Sequence, residues 1–243
     1  MIVQRYVSGL HVGEELRYEV WRKDACELES LHLRQSPIDR ACGLHCVLMA
    51  AMLGFGISRA TALSVATSRR PILSELWRVA RDDYFAGVTA GTIKNYLRLI
   101  QPDVKLRQLG ERHSDLFESV ASEIEKDNIA LMLVGSGHRS NLHWVLVIGA
   151  ERPYELDTVE QLKKPSKRPP PIALLGLDPS SPAPALSAFN WRMCNFQNYG
   201  KRGMKCVSTA GGGQHRKLVR AVIIGRNSER SKRVKSERNL EGR

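Results

Sequence analysis

Apolar positions change period midway along the chain. In the first half they recur at helical spacing. Cys42–Gly43 open an apolar segment running through Leu53, which Gly54 and Gly56 end, so a buried helix of about ten residues is predicted. Ser58 or Thr61 can cap RATALSVAT. PILSELWRVARDDYF carries Pro71 in its first turn, with Ile72, Leu76 and Val79 on one face. Thr89 can cap a helix through Tyr96–Leu99, and Ser114 begins a stretch with Leu116, Val120 and Ile124 at helical spacing. The second half reads as strands. Ile129–Ser136, Leu142–Ala150, Ile172–Pro179 and Lys217–Gly225 are apolar and rich in branched residues. IVQRYV near the start is a short strand; the rest up to Arg34 has no clear pattern.

These elements predict an α+β fold, a helical half packed on an antiparallel sheet. Residues 1–34 are an extension, 35–225 the domain, and 226–243 a tail. Residues 151–171 form a proline-rich, basic insert (QLKKPSKRPPP) that cannot be helix or central strand. The tail holds seven Lys or Arg against three Glu and almost no apolar residue, the composition of a disordered segment.

Composition narrows the class. At 243 residues, with 42% hydrophobic and 26% charged positions, the chain is globular in type. Its net charge of +12 favours acidic partners, and the tail is the surface for one. The longest apolar stretch, Cys46–Ile57, falls short of the ~20 residues of a membrane-spanning helix. No basic head followed by an apolar run marks a secretory signal, so a cytoplasmic location with reduced thiols is expected, signal-independent export remaining open. Five cysteines, an odd number, make no disulfide framework. No nucleic-acid-binding motif accompanies the basic segments, so nucleic acid is not the expected partner.

Acyl transfer by a thiol needs an ionisable nucleophile, a base, a group that orients the base, and oxyanion donors. Cys42 stands where a loop becomes a helix, and unpaired N–H groups there favour a thiolate. Gly43 leaves room for a substrate backbone. Gln35 lies on the preceding loop, able to donate an amide beside the Cys42 N–H. His143 enters a strand directly after a polar loop, and Asp178 ends the next strand, within reach of one imidazole nitrogen if the two strands pair.

The ordered set Gln35, CGLHC (Cys42–Cys46), HWVLVIG (His143–Gly149) and LDP (Leu177–Pro179) resembles papain-like cysteine peptidases, most of all the bacteriocin-leader (double-glycine) branch. That resemblance implies a helical subdomain facing an antiparallel sheet with the cleft between. It makes Cys42 the nucleophile, His143 the base, Asp178 its partner and Gln35 the oxyanion donor. It implies cleavage of a peptide or isopeptide bond in a protein or peptide substrate, with no metal or organic cofactor.

Blander readings compete for each residue. Cys42 and Cys46 can be small core hydrophobes, and Cys46, one turn on, is read as core. Cys42, His45 and Cys46 can open a zinc site, but no second ligand pair follows, and Cys194 and Cys206 do not supply one. His138 rivals His143 but sits in a glycine- and serine-rich loop; His113 and His215 read as surface. Asp178 can simply begin a turn. Trp144 should face away from His143 into the core. At the level of function, acyl transfer to an amine by the same residues and an inert basic adaptor or nucleic-acid-associated protein on the same scaffold are the alternatives.

Overall fold

The computed structural model describes residues 1–12, 18–22, 27–36, 39–110, 116–135, 142–154, 168–184, 187, 189–195, 204–208, 214–215 and 217–226. The order begins with β1 (Ile2–Tyr6), β2 (Leu10–Val12), β3 (Tyr18–Arg22) and β4 (Glu27–Ser30). Four helices follow: α1 (Cys42–Phe55), α2 (Arg59–Leu63), α3 (Pro71–Ala80) and α4 (Ala90–Ile100). Then come β5 (Lys105–Gly110), α5 (Leu116–Glu125), β6 (Ile129–Gly135), β7 (His143–Pro153) and β8 (Ala173–Leu177). The chain closes with β9 (Trp191–Asn195), β10 (Met204–Ser208), β11 (Gln214–His215) and β12 (Lys217–Gly225). This is a mixed α+β fold.

Among the described residues the main sheet is antiparallel, in the order β11-β10-β9-β8-β7-β6-β12-β5. The long strand β7 organises it. Its first half, His143–Val147, pairs with β6, and its second half, from Gly149 to Pro153, takes β1 on that same edge. β2, β3 and β4 make a separate three-stranded sheet.

Both faces of the main sheet are covered. Helices α1 to α4 pack with Trp144, Leu146, Ile148, Leu131, Val222 and Ile224 on one face. α5 packs with Ala130, Met132, Val145, Val147, Ala221 and Ile223 on the other. β6 is therefore buried at every position, and a strand covered on both faces shows a continuous apolar run with no alternation. The sequence placed all helices in one layer, whereas α5 lies opposite the others. Its Leu116, Val120 and Ile124 are buried as their spacing predicts, but spacing carries no information about which face receives the stripe.

Local signals account for most boundaries. Ser58 and Thr89 cap α2 and α4 by accepting the Thr61 and Thr92 N–H groups at 3.1 and 3.2 Å. Pro71 opens α3. α1 is longer than expected: it runs through Gly54 and stops at Gly56, whose φ of 74° is a left-handed cap open to glycine at little cost. α3 also departs from expectation. Its buried positions are Leu73, Leu76 and Ala80, while Ile72 is 52% exposed. Two stripes share Leu76, and the contact with α4 selects the second.

The segment read as an extension feeds the same core, since β1 joins the main sheet and Leu31 and Leu33 are fully buried. Glu151–Pro153, read as the start of the insert, continue β7. There Arg152, 4% exposed, pairs with Glu118 and Glu125 of α5 at 2.7 and 2.5 Å, tying the strand to the helix beneath it. Residues 155–167 of the insert and the tail beyond Arg226 lie outside the described residues. Among the described residues no helix is long and apolar enough to cross a membrane.

Candidate active site

The approach to α1 is pinned by one buried carboxylate. Asp39 accepts the Ser36 N–H at 2.8 Å and the Ala41 N–H at 3.1 Å, and the Tyr84 hydroxyl donates to it at 3.2 Å. The Arg40 N–H reaches the Tyr84 carbonyl at 3.0 Å. This holds the turn so that Cys42 is the first residue of the helix, where backbone N–H groups face outward and favour an anion. Gly43 has a different reason from the one its sequence suggested. A Cβ there would stand 2.1 Å from Val88 Cγ2, 3.1 Å from Ile93 Cδ1 and 3.3 Å from Trp144 Cδ1, so its missing side chain admits protein packing.

The pairing of β7 with β8 brings His143 and Asp178 together. β7 and β8 are antiparallel with Leu146 opposite Leu177. Asp178 directly follows Leu177 at the end of β8 and His143 opens β7, so both side chains leave the same end of this strand pair. The His143 Nε2–H donates to Asp178 Oδ1 at 2.7 Å. That bond leaves Nδ1 for the thiol. The Trp144 N–H points at Cys42 Sγ from 3.5 Å. Trp144 itself turns into the core, as alternation requires, and its indole N–H donates to the Val88 carbonyl at 2.9 Å.

The electrostatics follow from this contact. Burial pushes the Cys42 thiol up, but its hydrogen bond to His143, the charge on that ring and the Trp144 and Gly43 N–H groups outweigh burial and lower it. Burial likewise disfavours the His143 cation, yet Asp178 and Cys42 push it up to about 9. Thiolate and imidazolium stabilise one another, and the Asp178 carboxylate holds the ring. The three groups are recessed: Cys42 is 7% exposed, and the His143 and Asp178 side chains 14% each.

Gln35 is tied to the same corner by its backbone, the Gln35 N–H donating to the Pro179 carbonyl at 2.9 Å. Its side-chain oxygen is buried with no hydrogen-bond partner among the described residues. That atom is an acceptor, so the donor role expected of Gln35 falls to its amide N–H₂.

Among the other candidates, Cys46 is fully buried in the core, its thiol raised by desolvation and by the neighbouring Cys42. His45 donates from Nδ1 to the Ala41 carbonyl at 3.0 Å. Among the described residues no group of three or more His, Cys, Asp or Glu side chains is placed to hold a metal ion. Cys194 lies against Arg192 at 2.8 Å. His113 and His138 fall outside the described residues, as do the side chains of Cys206 and His215.

Sequence reasoning missed Ser180. Its N–H donates to Asp178 Oδ1 at 2.7 Å and its hydroxyl lies 3.2 Å from His143 Nε2. The Asp-Pro-Ser-Ser run is a turn signal, and the Asx turn that makes Ser180 a neighbour of the carboxylate was readable from it. No protein-family model matches the chain, and no curated protein matches it in sequence.

Proposed function

We propose that this chain is a papain-like cysteine peptidase that cleaves a peptide or isopeptide bond through a thioester on Cys42. The observation that carries the reading is the contact chain from Cys42 at the mouth of α1, through the His143 ring, to Asp178 Oδ1 at 2.7 Å. Three residue types suited to acyl transfer, from three separate elements, meet in the order that the chemistry uses.

The thiolate attacks the carbonyl carbon; a C–S bond forms and the carbonyl π electrons move to oxygen. Gln35 and the backbone N–H of Cys42 are the donors assigned to that oxyanion. As the C–N bond breaks, the leaving amine takes the proton from His143 Nδ1. Water then gives a proton to His143 and attacks the thioester, and the C–S bond breaks to return the thiolate and release a carboxylic acid. Asp178 keeps the ring in one orientation throughout and stays ionised.

The test is alkylation by iodoacetamide at pH 6, mapped by mass spectrometry, together with turnover of a peptide library. Cys42 is expected to label selectively, and Cys42→Ala or His143→Ala to abolish labelling of that site and turnover. Label that persists unchanged in Cys42→Ala, or a folded wild type inert at pH 6, overturns the reading. A new amide in place of hydrolysed fragments identifies an amine as the acyl acceptor.

A further inference from the structure

The backbone of Asp178 is gripped on both sides by one side chain. Asn190, 1% exposed, stands immediately before β9. Its Oδ1 accepts the Asp178 N–H at 2.6 Å. Its Nδ2 donates to the Asp178 carbonyl at 2.9 Å and to the Pro182 carbonyl at 2.9 Å. His32, 4% exposed, approaches from the other side, with Nε2 3.0 Å from the Asp178 carbonyl and 3.1 Å from Asn190 Nδ2.

Donor counting fixes this arrangement. The amide has two hydrogens, both taken by the Asp178 and Pro182 carbonyls. The His32 Nε2 therefore carries a proton and gives it to the Asp178 carbonyl, which accepts two bonds. Turning the amide over would set its NH₂ against the Asp178 N–H and its oxygen against two carbonyls, so one orientation survives. The grip spans the chain on both sides of the Asp178 Cα and, through Pro182, the turn that follows. Ser180 within that turn touches both the carboxylate and the His143 ring.

We infer that Asn190, seated against His32, is a positioning residue for the triad: it fixes the Asp178 backbone and so aims the carboxylate at His143. The inference rests on the peptidase reading above. A carboxylate at the end of a strand has free χ1 and χ2 rotation and a fraying backbone. An immobile backbone removes the second source of misalignment, and sub-ångström placement is what a general base requires.

The test compares iodoacetamide rate against pH for wild type, Asn190→Leu, Asn190→Asp, His32→Phe and Asp178→Asn, with urea unfolding run alongside. Asn190→Leu removes the grip at similar volume. Asn190→Asp keeps the acceptor but sets oxygen against two carbonyls. In the folded variants at residue 190 the acid limb of the profile is expected to move to higher pH, with about a tenfold loss of rate at pH 6 and near wild-type rate at pH 9.5. His32→Phe should move it less. A merely structural role would lower the urea midpoint and leave the profile of the folded protein in place, which overturns the inference. Loss of folding in all three variants at positions 190 and 32 overturns it too, making the grip a requirement of the fold. If Asp178→Asn shifts the profile and the residue-190 variants do not, this inference alone fails. If Asp178→Asn leaves the profile unchanged, the peptidase reading fails first.

Discussion

Replacing Asp178 by Asn isolates the charge that orients His143. The amide keeps the shape of the carboxylate and can still accept from Nε2, so the perturbation is electrostatic. His143 is pushed from 6.5 up to about 9, a preference for the cation worth about 3.5 kcal/mol at ~1.4 kcal/mol per pH unit. Burial works against that preference, while Asp178 and the Cys42 thiolate supply it. Asp178 is the first-ranked of the two, so the substitution should lower the ion-paired form by at least about tenfold. The assay is the second-order rate of Cys42 alkylation by iodoacetamide between pH 5 and 10, because only the thiolate reacts. The wild-type rate should hold well below pH 8.5, whereas in Asp178→Asn the acid limb should move toward the ordinary thiol value and the rate at pH 6 should drop at least about tenfold. Unfolding curves at both pH extremes check that the variant is folded. A folded Asp178→Asn whose profile overlays the wild type would show that the 2.7 Å contact does no electrostatic work, and the reasoning from geometry to thiolate would fail.

Gln35→Ala should slow acylation of Cys42 by p-nitrophenyl acetate roughly 100-fold while leaving iodoacetamide alkylation unchanged, because only the ester passes through an oxyanion; equal effects on both reagents would remove Gln35 from that role. Stability carries a pH signature. The raised His143 contributes stability that is present below about 6.5 and lost as pH rises through about 9. The lowered Cys42 contributes stability that is present above its unfolded value of 9.0 and lost as pH falls through its folded value. Each charge needs the other, so the difference in urea midpoint between wild type and Cys42→Ala should peak near pH 7–8 and shrink at both ends; a monotonic difference would contradict the ion pair. Gly43→Ala should cost about 1–3 kcal/mol in urea unfolding, since its Cβ would overlap Val88 at 2.1 Å; wild-type stability in that variant would mean that α1 is not closely seated on the segment before α4.

The amino-acid order alone determined the elements with strong local chemistry. Caps at Ser58 and Thr89, Pro71 at a helix start and the branched runs of β6, β7, β8 and β12 are visible without any partner. It also nominated Cys42, His143 and Asp178, each at or beside an element boundary, and Gln35 on the loop before α1, because acyl chemistry uses few residue types. Tertiary structure decided the rest. β5 and β9 have short, charged patterns that become strands through their neighbours, β12 for the one and β8 and β10 for the other. Which stripe of α3 is buried, which face of the sheet receives α5, and why position 43 is glycine depend on packing partners distant in the chain. The grip of Asn190 and His32 on Asp178 joins residues 158 positions apart. No local pattern encodes such a pairing: hydrogen bonds of this kind exist only once the sheet has set its register and the core has excluded the water that would otherwise satisfy the same groups.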